Sequence, residues 1–90
     1  MNTVPPGDMS GPFDLPGGPV AVLCLHGLTS TPYELRPLAQ AVASAGHRVR
    51  APRLIGHGTS AAALRHTRWN DWLATARRAF DALAADHAQV

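Results

Sequence analysis

Residues 20–30 read VAVLCLHGLTS, and this stretch decides the fold. Its first six residues are apolar, with valine at two of them, which predicts a strand over residues 20–25 that is buried on both faces. Such strands are typical of a parallel sheet covered by helices on either side. The run ends in His26 and Gly27, followed by a short polar turn. Because α/β folds bind ligands where a buried strand gives way to a helix, this turn is the first candidate site.

The residues after the turn predict a helix that returns the chain to the sheet. Thr31 and Glu34 have the spacing of a capping box, with a proline directly after the threonine. Apolar residues at positions 35, 38 and 42 form one stripe, and Gly46 provides the stop. Pro37 predicts that a short first turn precedes the main helix.

A second strand is predicted over residues 47–52, and the two strands with the helix between them form a βαβ unit. Residues 53–60 form a glycine-bearing loop, and residues 61–66 are either loop or one helical turn. Thr67 is the expected cap of a last helix. The predicted buried stripe of that helix consists of Trp69, Trp72, Leu73, Ala76, Phe80 and Leu83. Residues 88–90 resemble the start of another strand.

The first 19 residues hold five of the eight prolines and four of the eight glycines. Residues 1–19 are therefore interpreted as an irregular Pro/Gly-rich leader, and residues 20–90 as the folded part. Within the leader, residues 11–15 form either a very short edge strand or part of an unstructured tail.

Composition limits the possible functions of these 90 residues. A hydrophobic content of 46% is that of a globular chain. The eight basic residues are all arginines and are scattered, so we expect no nucleic-acid binding. The single cysteine, Cys24, lies inside the first strand and is more plausible as core filling than as a nucleophile. We expect no signal peptide, no membrane span and a cytoplasmic protein. The five histidines lack metal-ligand spacing, and no metal or other cofactor is expected.

Three segments in this order resemble the α/β-hydrolase family. Residues 22–29 are similar to its oxyanion-hole strand and loop, and residues 31–38 and 56–59 resemble its carboxylesterase and monoacylglycerol-lipase-like branch. The resemblance implies an α/β fold class. The expected architecture is an incomplete α/β-hydrolase fold, the βαβα N-terminal part of a mostly parallel sheet.

The resemblance also assigns site residues. The backbone N–H of Leu28 is the expected oxyanion-hole donor. His26, Gly27 and Thr29 are expected to support the loop, His26 by hydrogen bonding and Gly27 by allowing a sharp turn. The resemblance places a wall of the site at Gly56, His57 and Gly58; a plain strand-ending turn and a plain loop remain the alternatives for these two segments.

A catalytic triad is not found in the sequence. The family's nucleophile lies in a Gly-x-Ser-x-Gly elbow directly after a strand, and this pentapeptide is absent. Ser60 comes closest, but it follows Pro52 by eight residues. We therefore expect the triad beyond Val90.

Two functions of different classes follow. The first is a serine hydrolase acting on small-molecule carboxylic esters, present as a truncated and inactive N-terminal portion. The second is a non-catalytic βαβα interaction module that pairs with a partner through an exposed strand edge.

Overall fold

The computed structural model describes residues 10–58 and 60–90. Residues 1–9 of the predicted leader and Thr59 of the predicted loop lie outside the described residues. The described chain forms three strands, three α-helices and one 3₁₀ turn. In chain order these are β1 Phe13–Leu15, β2 Ala21–Leu23, the 3₁₀ turn Pro32–Leu35, α1 Arg36–Ser44, β3 Arg48–Ala51, α2 Ala61–Arg65 and α3 Trp69–Asp86.

The sheet has β3 at its centre, with β1 on one side and β2 on the other. β2 and β3 are parallel, with Val22 opposite Val49, and α1 connects them as the predicted βαβ unit. On the far side of β2, Gln89 forms a parallel bridge with Val20, and its carbonyl accepts the Ala21 N–H at 2.9 Å. The predicted α/β class and parallel pairing are therefore confirmed, with one antiparallel edge strand added.

Strand β2 is shorter and less buried than the strand that the sequence predicted over residues 20–25. Its ladder covers three residues rather than residues 20–25, and Leu25 is half exposed. The Cys24 N–H still donates to the Arg50 carbonyl at 2.9 Å, and the chain then leaves the sheet. A run of apolar letters cannot show where this departure occurs, because the residues beyond it are apolar too.

The core lies between the sheet and α1. Its buried members are Phe13, Cys24, Ala39, Val49 and Ala51. Alanine at position 39 is fully buried, and its small side chain lets the helix approach the sheet closely. Cys24 fills this core as predicted, and burial raises the pKa of its thiol.

The start of the helix matches one prediction and contradicts another. The 3₁₀ turn before Arg36 is the separate first turn predicted from Pro37. The capping box is wrong: the Thr31 hydroxyl accepts the Tyr33 N–H at 3.3 Å, but the Glu34 carboxylate binds Gly27 instead. The glycine stop is present: Gly46 follows the C-cap Ala45 and has φ +98°.

Part of the predicted leader belongs to the sheet. β1 pairs antiparallel with β3, so the edge-strand alternative is the one that forms. The Asp14 carboxylate accepts hydrogen bonds from Arg50 at 2.7 Å and from Arg48 at 3.0 Å. Partial burial raises the pKa of Asp14, but the two arginines lower it further, and the net shift is downward. The division of the chain at residue 19 stays a prediction.

The last helix begins one residue later than predicted. Arg68 rather than Thr67 is the N-cap, and the Asp71 carboxylate accepts the Arg68 N–H at 2.9 Å. The predicted buried stripe is only partly buried: Leu83 is in the interior, whereas Trp69 is 70% exposed. The ambiguous segment before it forms α2, capped by Ser60. None of the described helices is both long and apolar enough to span a membrane.

Candidate active-site loop

His26 joins two loops at the end of the parallel strands. It is buried, and its Nε2 accepts the Leu54 N–H at 3.0 Å. Since Nε2 is the acceptor, the proton of the neutral ring is on Nδ1, which donates to the Gly27 carbonyl at 2.9 Å. Burial lowers the pKa of His26, which outweighs the raising effect of the Gly27 hydrogen bond. The neutral ring therefore ties the loop after β2 to the loop after β3.

The turn after His26 is tight, but its unusual residue is Thr29. The Ser30 N–H donates to the Gly27 carbonyl at 3.1 Å, and Thr29 has φ +63°. Gly27 does not have a positive φ, so the expected role of Gly27 in the sharp turn falls to Thr29. A Cβ at position 27 would meet Glu34 Oε1 at 3.7 Å, an ordinary contact.

The orientation of the Leu28 N–H follows from these bonds. In a trans peptide the N–H points opposite to the preceding carbonyl. The Gly27 carbonyl is held by two donors, His26 Nδ1 and the Ser30 N–H, so the Leu28 N–H is directed away from both. Within residues 10–58 and 60–90, the Leu28 N–H has no acceptor, and the Leu28 side chain is 62% exposed.

Glu34 adds a fourth hydrogen bond to this loop. Its Oε1 accepts the Gly27 N–H at 3.0 Å. Hydrogen bonds from the Gly27 amide and the Ser30 side chain lower the pKa of Glu34. The capping-box spacing predicts a local partner for Glu34 and gives no information about a partner seven residues earlier in the chain.

The loop of Gly56, His57 and Gly58 packs beneath the first loop. Both glycines have φ +82°, and a Cβ at Gly56 would lie 2.5 Å from Thr67 Oγ1. His57 is buried, with its ring centroid 5.0 Å from that of His26 and 5.3 Å from that of Trp72. Nδ1 of His57 lies 3.3 Å from the Ile55 carbonyl. The two predicted loops are thus brought together.

Trp72 and Thr67 support His57 from the helix side. The Trp72 indole donates to Thr67 Oγ1 at 2.9 Å, and the Thr67 hydroxyl donates to the Leu64 carbonyl at 2.9 Å. Sequence patterns assigned Trp72 to a core stripe and Thr67 to a cap, so this network was not predicted. Only the indole N–H of Trp72 could have indicated it, since such a group needs an acceptor when it is buried.

An open cavity of about 320 Å³ lies beside the two loops. Its lining consists of Thr29, Gly56, His57, Gly58, Ser60, Ala61 and Leu64. Four of the predicted site residues therefore share one concavity, whereas Leu28 is outside its lining. In the described part of the chain, no three histidine, cysteine, aspartate or glutamate side chains cluster closely enough to hold a metal ion.

Comparison with solved structures defines the class of protein. A structure from work on LipS and LipT, two metagenome-derived lipolytic enzymes, matches with a TM-score of 0.83 and 36% sequence identity. The match covers 94% of this chain and 34% of that one. With the sheet and helices described above, this makes the chain an N-terminal α/β-hydrolase-like portion.

Comparison with known sequences specifies the branch. The chain is 46% identical over 69 residues to the thermostable monoacylglycerol lipase of Bacillus sp. (strain H-257), and 39% identical over 61 residues to a carboxylesterase of Bacillus subtilis (strain 168). These matches cover 77% and 68% of this chain, but 28% and 25% of the two relatives. No protein-family model matches. The chain is thus related to lipases and carboxylesterases and spans about a quarter of their length.

Proposed function

We propose that the whole protein is a serine hydrolase of carboxylic esters, and that this chain contributes its oxyanion-hole loop. The observation that carries the proposal is the Leu28 N–H, which is left without an acceptor in the described chain while its peptide plane is held by His26 and Ser30. The similarity to proteins named monoacylglycerol lipase and carboxylesterase supports the substrate class.

The proposed reaction uses this amide when charge develops on the substrate. A serine attacks the ester carbonyl, and the resulting oxyanion accepts hydrogen bonds from the Leu28 N–H and from a second N–H at the nucleophile elbow. Donors that are already oriented stabilise this charge without rearranging during the reaction. The nucleophile, its acid and its histidine are proposed to follow Val90, because the sequence to that point has no Gly-x-Ser-x-Gly.

The experiment compares two forms of the protein with p-nitrophenyl butyrate as substrate. The chain ending at Val90 is expected to give only background hydrolysis. The longer form, which continues beyond Val90, is expected to hydrolyse the ester. Turnover by the shorter chain that disappears in Ser60→Ala would contradict the proposal, because the nucleophile would then lie within it.

A matched pair of variants in the longer form tests the amide itself. Leu28→Pro removes the N–H and is expected to lower kcat by about 10²- to 10³-fold, the usual effect of losing one oxyanion donor. Leu28→Ala retains the N–H and shortens an exposed side chain, so its kcat is expected to stay within severalfold of the wild type. Equal kcat values for the two variants would contradict the proposed role of the Leu28 N–H as an oxyanion donor.

A second candidate is an interaction module that pairs through β2. On the outer side of this strand, the described chain provides one bridge only, from Gln89 to Val20. An edge that is paired at one end offers its remaining backbone groups to an extended peptide. A monodisperse 90-residue chain that forms a stable complex by adding a strand at Leu23 would favour this candidate.

A further inference from the structure

Glu34 makes a long-range contact in place of a local one. As the third residue after the cap Thr31, it has the position from which a glutamate usually binds the cap's own backbone N–H. Instead, its Oε1 is 3.0 Å from the Gly27 nitrogen, on the loop that follows β2. The first turn is therefore left with the Thr31 hydroxyl as its side-chain cap.

Packing does not hold Gly27 in its conformation. A Cβ there would meet a single neighbour at ordinary distance, and a glycine without steric restriction has wide φ/ψ freedom. The two peptide planes that meet at Gly27 are held by hydrogen bonds. The plane before Gly27 donates its N–H to Glu34, and the carbonyl of the plane after it accepts from His26 and Ser30.

We propose that Glu34 is a positioning residue for the oxyanion loop: its carboxylate fixes the peptide before Gly27 and thereby limits the directions that the Leu28 N–H can take. The part that concerns catalysis rests on the function proposed above. The hydrogen-bonding part does not, because it concerns the loop in the absence of substrate.

The ionised form of Glu34 makes the stronger hydrogen bond to the Gly27 N–H. A carboxylate accepts from a backbone N–H about twice as strongly as a neutral acceptor does. The Gly27 and Ser30 hydrogen bonds lower the pKa of Glu34, so the carboxylate form extends further into acid. The titratable group that acts on it is His26, whose Nδ1 binds the Gly27 carbonyl while Glu34 binds the Gly27 N–H.

The test is an NMR titration of the ¹³C,¹⁵N-labelled 90-residue chain from pH 7 to pH 3. The Gly27 amide proton is expected to move upfield in one step, at the same midpoint as the Glu34 side-chain carboxyl carbon and below the usual glutamate value. The amide of Val49 in the central strand is the reference that shows the sheet is still folded. A Gly27 amide that does not follow the Glu34 midpoint would overturn the proposal.

Variants separate positioning from general stability. Glu34→Gln keeps a hydrogen-bond acceptor. The Gly27 amide proton is therefore expected to keep its chemical shift, but that shift should no longer change with pH. Glu34→Ala is expected to speed Gly27 amide exchange by about two- to tenfold, the effect of losing one hydrogen bond. Asp81→Asn, at an exposed position on α3, is the matched control and should leave both readouts unchanged. Equal exchange in Glu34→Ala and wild type would also overturn the proposal.

Activity in the longer form then distinguishes the two proposals. If both hold, Glu34→Ala lowers kcat with little change in KM, and Glu34→Gln restores part of the loss. If the NMR results are as expected but Leu28→Pro keeps full kcat, Glu34 holds the loop and the proposed function fails. If Leu28→Pro lowers kcat but the Gly27 amide responds neither to the titration nor to the substitution of Glu34, the proposed function holds and the positioning role fails.

Discussion

Two sides of the sheet have the same kind of sequence pattern but different burial. On the side of β1 and α1, the apolar positions meet one another, and Val49 is fully buried. On the outer side of β2, the apolar stripe of α3 is equally regular, yet Phe80 is 45% exposed. Periodicity therefore identifies which face of an element is apolar, whereas burial requires a second surface against that face.

The largest expected difference between the two sides comes from the two phenylalanines. Phe13→Ala removes an 8% exposed ring that also lies under the Arg36 guanidinium, and it should lower the free energy of unfolding by about 3–5 kcal/mol. Phe80→Ala on the open side should cost less than about 1 kcal/mol. Urea unfolding followed by circular dichroism measures both. Similar losses would show that the open side is packed in solution.

Two glycines give the next largest difference. A Cβ at Gly17 would lie 2.1 Å from the His47 carbonyl carbon, so Gly17→Ala forces the backbone apart and should cost about 1–3 kcal/mol. Gly27→Ala introduces only an ordinary contact with Glu34 and should leave the thermal midpoint nearly unchanged. A lower midpoint for Gly27→Ala than for Gly17→Ala would show that the loop, rather than the sheet side, is the crowded region.

The smallest expected effect is the contribution of His26 to the pH dependence of folding stability. Its folded pKa is lowered, so the unfolded chain binds the proton more readily. The stability that the neutral ring provides is complete above the unfolded pKa of about 6.5 and is lost as pH falls towards the folded value. As the pH is lowered from 7 to 5, the thermal unfolding midpoint of the wild type should fall more steeply than that of His26→Gln. Parallel slopes would contradict this.

The sequence predicted the elements that depend on neighbouring residues. The βαβ order, the turn before Pro37, the stop at Gly46 and the buried Cys24 are all set by local chemistry or by a continuous apolar run. The shortened strand and the half-exposed α3 depend on what lies beside them in space. No periodic pattern within one element can report that.

The candidate site shows the same limit at finer scale. The resemblance predicted that the His26 loop and the His57 loop belong to one site, and the two loops do lie side by side. The residues whose hydrogen bonds fix these loops were expected to have other roles. The sequence predicts Glu34 and Thr67 as capping residues. Glu34 instead binds the backbone of the preceding loop, and the Thr67 hydroxyl accepts from the Trp72 indole of α3 rather than capping that helix. Both residue types serve either purpose, so only the three-dimensional arrangement distinguishes them. The catalytic role of Leu28 stays a prediction.

The bridge between Val20 and Gln89 also has a bearing on the order of folding. Nearly the whole described chain separates these two residues, so closing that loop has a larger entropic cost than joining β2 to β3 across α1. Pairing of β2 with β3 is thus the cheaper nucleus, and the Gln89 contact gains favourable free energy only once that nucleus exists. The outer edge of β2 is consequently the last part of this sheet to be covered as the chain collapses.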